Sequence, residues 1–219
     1  LDAILKRERR LPWEVAVRVG VQIADALACA HEHGVIHRDL KPDNLIVRGG
    51  DPATGPTRIL DLGLARVENA VALSGISDHN MAMGTPSYSA PEQLLGQPTD
   101  ARADVYGVCA VLYRLITGQP PYAGVSFEDV AEKMHEGELK APKAVFPDGS
   151  RPRALDALIL SGLATRPDQR PASAVAFGDA LRAVSQPRTG PAWRRYVAGA
   201  ALVGLGIAAG VGAAVLLGG

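Results

Sequence analysis

The stretch His37-Arg38-Asp39-Leu40-Lys41-Pro42-Asp43-Asn44 constrains this chain more than any other. It sets an acid, a lysine two residues on and an amide five residues on, immediately ahead of the apolar run Leu45-Ile46-Val47. That is the order of parts a phosphoryl-transfer loop needs. The Asp39 carboxylate can take or orient a hydroxyl proton, the Lys41 cation can steady phosphoryl charge, and the Asn44 oxygen can hold a divalent metal. Five specified residues at this spacing arise by chance roughly once in a million positions, which ranks that chemistry above a charged turn between a helix and a strand.

At 219 residues the chain has length enough for one sizeable domain with a real core. Lys plus Arg and Asp plus Glu stand at 23 each, so bulk charge gives no reason to expect a nucleic-acid partner. The two cysteines, Cys29 and Cys109, each fall in an apolar helical pattern. They are expected as small core residues in a reducing compartment, without a disulfide framework or a metal site. The chain begins at Leu1, already in helical pattern and with no signal peptide. We therefore expect a fragment whose N-terminal part is absent.

Residues 1–10 predict a short amphipathic helix with a basic end. Pro12 opens a longer one, in which Val15, Val19, Ile23, Leu27 and Ala30 form one apolar stripe and Gly34 stands where a left-handed cap costs little. After the opening motif, Leu45-Ile46-Val47 and Arg58-Ile59-Leu60 read as two short strands joined by an irregular loop. Residues 64–83 are polar and aperiodic, as in a mobile loop. Further helices are expected over Arg102–Thr117, Ser126–Glu136, Arg153–Ala164 and Ser173–Val184, with Gly118 ending the first. Arg38, beside the acid, can pair with a phosphorylated hydroxyl and so order the loop, and Ser77 is the leading candidate phosphosite, with Ser74 next.

Together, His37 to Asn44, Asp61-Leu62-Gly63, Gly84-Thr85-Pro86-Ser87-Tyr88-Ser89-Ala90-Pro91-Glu92 and Arg166 to Pro171 resemble the motif set of eukaryotic-like (bacterial) serine/threonine protein kinases. The resemblance covers residues 1 to about 185. It implies a mainly α fold: a protein-kinase-like C-lobe, helical with a small β-hairpin, with the N-lobe absent. It also implies ATP and Mg2+ as cofactors and protein Ser/Thr hydroxyls as acceptors. Asp39 would be the catalytic base and Lys41 would stabilise charge at the nucleotide, while Asn44 and Asp61 would bind magnesium. Ile46 would lie beneath the adenine ring, or else is an ordinary strand residue in the core. Leu62 departs from the more familiar phenylalanine but is apolar enough to pack beneath the site. By the same likeness Thr85 would bond Asp39 and Lys41, and Asp104 would accept from the backbone of the His37-Arg38 segment. Arg170 would form a buried ion pair with Glu92. Lys41 and the Gly-Thr-Pro-x-Tyr pattern are similar to serine/threonine rather than tyrosine kinases. A pseudokinase or docking module is the alternative, disfavoured by Asp39, Lys41, Asn44 and Asp61 occurring together. Small-molecule phosphotransferases are disfavoured by the Gly84–Glu92 segment and Arg170.

Beyond residue 185 the pattern changes. Residues 186–195 form a short polar linker ending in Trp193-Arg194-Arg195, and the text from Tyr196 to Gly219 carries no charge. As a helix, those residues would span about 36 Å against a hydrocarbon core of about 30 Å, which predicts a transmembrane helix over 196–218. The arginines set its N-terminal side in the cytoplasm, giving a single-pass cell-membrane protein with a cytoplasmic kinase part. Gly206 and Gly210 have the small-xxx-small spacing through which two copies could pair as a homodimer.

Overall fold

Hydrophobic spacing in two segments, residues 13–32 and 102–117, sets the architecture. The computed structural model describes residues 1–61, 86–122, 127–137, 139–145 and 150–185, without the side chains of residues 127, 128, 143 and 144. In chain order the elements are α1 (Asp2–Glu8), α2 (Trp13–Glu32), β1 (Leu45–Val47), β2 (Thr57–Ile59), α3 (Pro91–Leu94), α4 (Arg102–Thr117), α5 (Phe127–His135), α6 (Pro142–Val145), α7 (Arg153–Gly162) and α8 (Ala174–Ser185). Three 3-10 turns, Pro42–Asn44, Pro86–Tyr88 and Pro167–Gln169, lie between them.

Helix α4 is the axis. Fourteen of its sixteen residues are buried, all but Arg102 and Arg114, so it has no solvent face of the kind a surface helix keeps. Gly118, at φ 80°, ends it in the left-handed region, where a Cβ would be strained. On α2 only one side is buried: Val19, Ile23 and Leu27 are at most 1 % exposed, while Val15 and Ala30 are half-buried. That stripe packs α2 against α4 and α8. Each such aliphatic side chain contributes about 1.5–3 kcal/mol when withdrawn from water. Gly34, at φ 71°, follows α2, and Val35 N–H reaches back to Ala30 O at 3.0 Å to close the end of the helix.

The strands pair antiparallel in the register Leu45 to Ile59, Ile46 to Arg58 and Val47 to Thr57. The second strand thus starts one residue earlier than the pattern predicts, and Leu60 N–H extends the ladder by donating to Asn44 O at 2.9 Å. Strand β2 also rests on α2, which positions the residues on either side of the loop that ends at Asn44.

Two expectations are corrected here. Cys29 is exposed on α2; only Cys109 is a core residue. The fold class expected from the sequence, a mainly α C-lobe plus one transmembrane helix, is corrected as well, because no helix among the described residues is long and apolar enough to cross a membrane. The longest, α2, has 20 residues but carries Glu14, Arg18, Asp25 and Glu32. The apolar α4, with 16 residues, would reach only about 24 Å. Residues 196–218, where that span was expected, lie outside the described residues.

Candidate active site

The loop between α2 and β1 has no regular backbone bonding of its own until the turn at Pro42, so side chains must hold it. Asp104, in the first turn of α4 and 1 % exposed, does most of this. Its Oδ2 accepts from His37 N–H at 2.8 Å and its Oδ1 from Arg38 N–H at 2.8 Å. His31 Nε2, on α2, donates to Oδ2 at 2.7 Å. One buried carboxylate thus draws two helices and the loop to a single point. Its three donors satisfy a charge that would otherwise be costly to bury. Gly107, one turn further along α4, leaves room for Leu40: a Cβ there would stand 3.0 Å from Leu40 Cβ.

His37 is 1 % exposed and bonds at both ring nitrogens. Its Nδ1 accepts from Asp39 N–H at 3.2 Å, so the ring proton belongs on Nε2, which donates to Leu60 O at 2.9 Å. The ring therefore joins the backbone of Asp39 to the strand end that carries Asp61. Asp61 itself is exposed and has φ 57°, a left-handed conformation unusual for a residue other than glycine. Arg38 shares that property at φ 68°.

Above this base, three side chains converge. Lys41 Nζ donates to both oxygens of Asp39, at 3.1 and 2.8 Å. Asn44 Nδ2 donates to Asp39 O at 2.7 Å and to its Oδ2 at 2.9 Å. The Asp39 side chain remains 43 % exposed, so a reacting hydroxyl can reach it. A pair this exposed to water is worth little as a stabiliser, about 0–1 kcal/mol, so stability does not explain the arrangement. Since both partners of Asn44 Nδ2 are acceptors, the amide is oriented with Oδ1 left to accept from or ligate another group. Asn44 Oδ1 and the Asp61 carboxylate are hard oxygen donors, the kind magnesium prefers, and two protein ligands completed by water or phosphate oxygens suit its coordination. Ile46, next along β1, is 47 % exposed and is therefore not a core residue; Leu60 is 38 % exposed.

Arg170 lies in a fully built pocket of its own. Its Nη1 and Nη2 each donate to a different oxygen of Glu92 at 2.7 Å. Further bonds run to Ala164 O, Arg102 O and Thr165 O, and the guanidinium carbon stands 5.1 Å from the centre of the Tyr106 ring. Burial pushes the Tyr106 hydroxyl well above the ordinary tyrosine range, and it also drives up the Cys109 thiol on the same helix. A thiol kept protonated in this way is no nucleophile.

Thr85 and Ser77 lie outside the described residues, as does the Leu62-Gly63 pair. Sequence alone had assigned no role to His31, to the ring of His37 or to Gln93. Gln93 did leave a signal: it stands at the third helical position behind Pro91, where a capping glutamine is common.

The profile of the protein kinase domain matches residues 1–181. The serine/threonine-protein kinase pkn3 of Myxococcus xanthus is 38 % identical over 189 residues, which are 86 % of this chain and 35 % of that protein. Serine/threonine-protein kinase PknH of Mycobacterium tuberculosis is 35 % identical over 191 residues, 87 % of this chain and 29 % of PknH. A third relative, Pkn1 of Myxococcus xanthus, is 38 % identical over 169 residues, 76 % of this chain and 23 % of Pkn1. The chain thus spans about a third or less of the length of these relatives. The match from residue 1 onward replaces the expected fold class of a C-lobe whose N-lobe is absent. This chain belongs to the protein kinase family.

Proposed function

We propose that this member of the protein kinase family transfers the γ-phosphoryl group of ATP to Ser or Thr hydroxyls of protein substrates. The observation that carries the proposal is the solvent-accessible Asp39 carboxylate, bonded by Lys41 and Asn44 and set on a backbone that Asp104 holds. A scaffold needs none of these bonds for packing, which weighs against a docking module. Asp39 orients the acceptor hydroxyl and takes its proton as the oxygen attacks. Lys41, already within bonding distance of Asp39, places its cation where charge builds on the transferred group. Asn44 and Asp61 would hold magnesium, whose chemistry is to neutralise phosphate charge and keep the phosphates in line. Ile46 and Leu60 present exposed apolar surface beside that position, suited to a flat base.

Lys41 and the Gly84-Thr85-Pro86 pattern support serine and threonine over tyrosine as acceptors. Arg38 supports control by phosphorylation at Ser77, because its Nε is buried with no hydrogen-bond partner among the described residues. Attachment to the cell membrane, with residues 1–185 on the cytoplasmic side, is proposed from the sequence of residues 186–219 alone. Recovery of the full-length protein in the soluble fraction after lysis would overturn it.

The test of the reaction is magnesium-dependent transfer from labelled ATP by the full-length protein, compared with its Asp39→Asn variant. Loss of the base lowers kcat by about 10²–10⁴-fold. Equal activity in the two proteins would refute the mechanism.

A further inference from the structure

Gln93 makes two hydrogen bonds that connect separate segments. Its Oε1 accepts from Ala90 N–H at 3.0 Å, and its Nε2 donates to Arg38 O at 2.6 Å. The first is local: helix starts leave N–H groups without intrahelical partners, and a glutamine at the third position of α3 satisfies one. The second reaches 55 residues back along the chain, to the peptide that joins Arg38 to Asp39. The N–H of that same peptide donates to His37 Nδ1 at 3.2 Å. Both polar groups of the peptide are therefore held, the N–H from within the loop and the carbonyl by Gln93.

This peptide needs holding. Arg38 has φ 68°, in a region that costs a side-chain-bearing residue roughly 1–2 kcal/mol, so the surroundings must impose the conformation. Asp104 fixes the N–H groups of His37 and Arg38 on one side. Gln93 fixes the carbonyl on the other. The peptide plane they define is the one from which the Asp39 side chain departs.

We propose that Gln93 is a positioning residue for the transfer reaction proposed above, making the orientation of the Asp39 carboxylate depend on the placement of α3. A glutamine suits the task because one planar group supplies an acceptor for α3 and a donor for the loop. Glutamate has the same reach but only acceptors at its end, and leucine has neither. A shift in α3, which follows directly on the Gly84–Ala90 segment, is thereby transmitted to the acid through a single side chain.

The experiment uses the full-length protein with Gln93→Glu and Gln93→Leu. Two quantities are read: the hydrogen-exchange rate of the Asp39 amide, and kcat with KM for ATP in peptide phosphorylation. Both variants are expected to speed Asp39 exchange about tenfold, the scale of one lost hydrogen bond, and to lower kcat about tenfold. KM for ATP stays within about twofold, since no nucleotide-facing group is altered. Gln93→Glu keeps the bond to Ala90 N–H, so it folds with a near-normal melting temperature even where Gln93→Leu does not. If glutamine only caps α3, Gln93→Glu matches wild type in both readouts and the proposal is overturned. Faster exchange in a protein whose wild type shows no Asp39-dependent transfer refutes the kinase activity and leaves the coupling standing. Unchanged exchange beside normal transfer refutes the coupling and leaves the activity standing.

Discussion

Arg170→Met should be among the most destabilising single substitutions in this chain, and its cost follows from the surroundings. The Arg170 side chain is fully buried and that of Glu92 is 4 % exposed, so neither charge has water to fall back on. Methionine fills much of the volume but leaves Glu92 ionised in the interior, without either of its 2.7 Å bonds. Breaking a buried pair from one side costs about 3–5 kcal/mol. For a domain of this size, roughly 2–4 °C of melting temperature accompanies each kcal/mol, which gives a fall of about 6–20 °C. The assay is scanning calorimetry of the full-length protein, with Glu92→Gln and the double variant run alongside. Glu92→Gln should cost less than Arg170→Met, because Arg170 keeps its three backbone carbonyls. The double variant should be more stable than the two single effects predict, by at least about 1 kcal/mol. A fall of under 2 °C for Arg170→Met, or strict additivity in the double variant, would refute the treatment of this pair as desolvated and tightly coupled.

Three more expectations follow from the same interior. In Gly162→Ala the new Cβ would stand 2.0 Å from Cys109 Sγ, so about 1–3 kcal/mol of overpacking is expected in urea denaturation, and Cys109→Ala in the same chain should relieve most of it. Burial raises the Tyr106 hydroxyl well above its ordinary range and Tyr122 to about 12. The folded form therefore holds these protons more tightly than the unfolded form: the stabilisation is complete below about pH 10 and is lost as the pH rises towards 12, so ultraviolet titration should find both tyrosines protonated at about pH 11 in folded protein. Asp104→Asn replaces a two-oxygen acceptor by one oxygen and a donor, leaving at least one buried N–H of His37 or Arg38 unpaired, and should cost about 1–3 kcal/mol in melting experiments together with a large fall in kcat.

The parts of this protein that were legible in its sequence are those in which function fixes residue type and spacing together. The spacing of the His37–Asn44 motif was enough to expect that Asp39, Lys41 and Asn44 act together, and the structure brings the three side chains within hydrogen-bond distance. Helix α4 declared its limits because an apolar face at helical spacing ends at Gly118, and the structure places it over the very residues the pattern predicts, Arg102–Thr117. Bonds between side chains and distant backbone left fainter traces. Gln93 announces no partner because it reaches a backbone carbonyl, and backbone groups look alike in a sequence; His31 announces none because its carboxylate partner lies 73 residues away. Cys29 misled for a simpler reason: an apolar helical pattern reports the average of a segment, and residue 29 falls on the outer side of α2. The stretch from 196 to 218 was read from its length, its lack of charge and its Trp193-Arg194-Arg195 flank, and it lies outside the described residues.

The bonds made by Asp104 span 66, 67 and 73 residues of chain. A growing polypeptide has therefore finished His37, Arg38 and Asp39 well before their common acceptor exists. At a synthesis rate of about 5–20 residues per second, several seconds pass in which the loop is complete as a sequence but has no acceptor for its amides. Closing loops of that length adds entropy to the folding barrier and delays such contacts relative to the local turns of α2. Asp39 thus reaches the geometry seen here late in biogenesis, once α4 has formed and docked, so a nascent chain interrupted before that helix carries the motif without the carboxylate that holds its backbone.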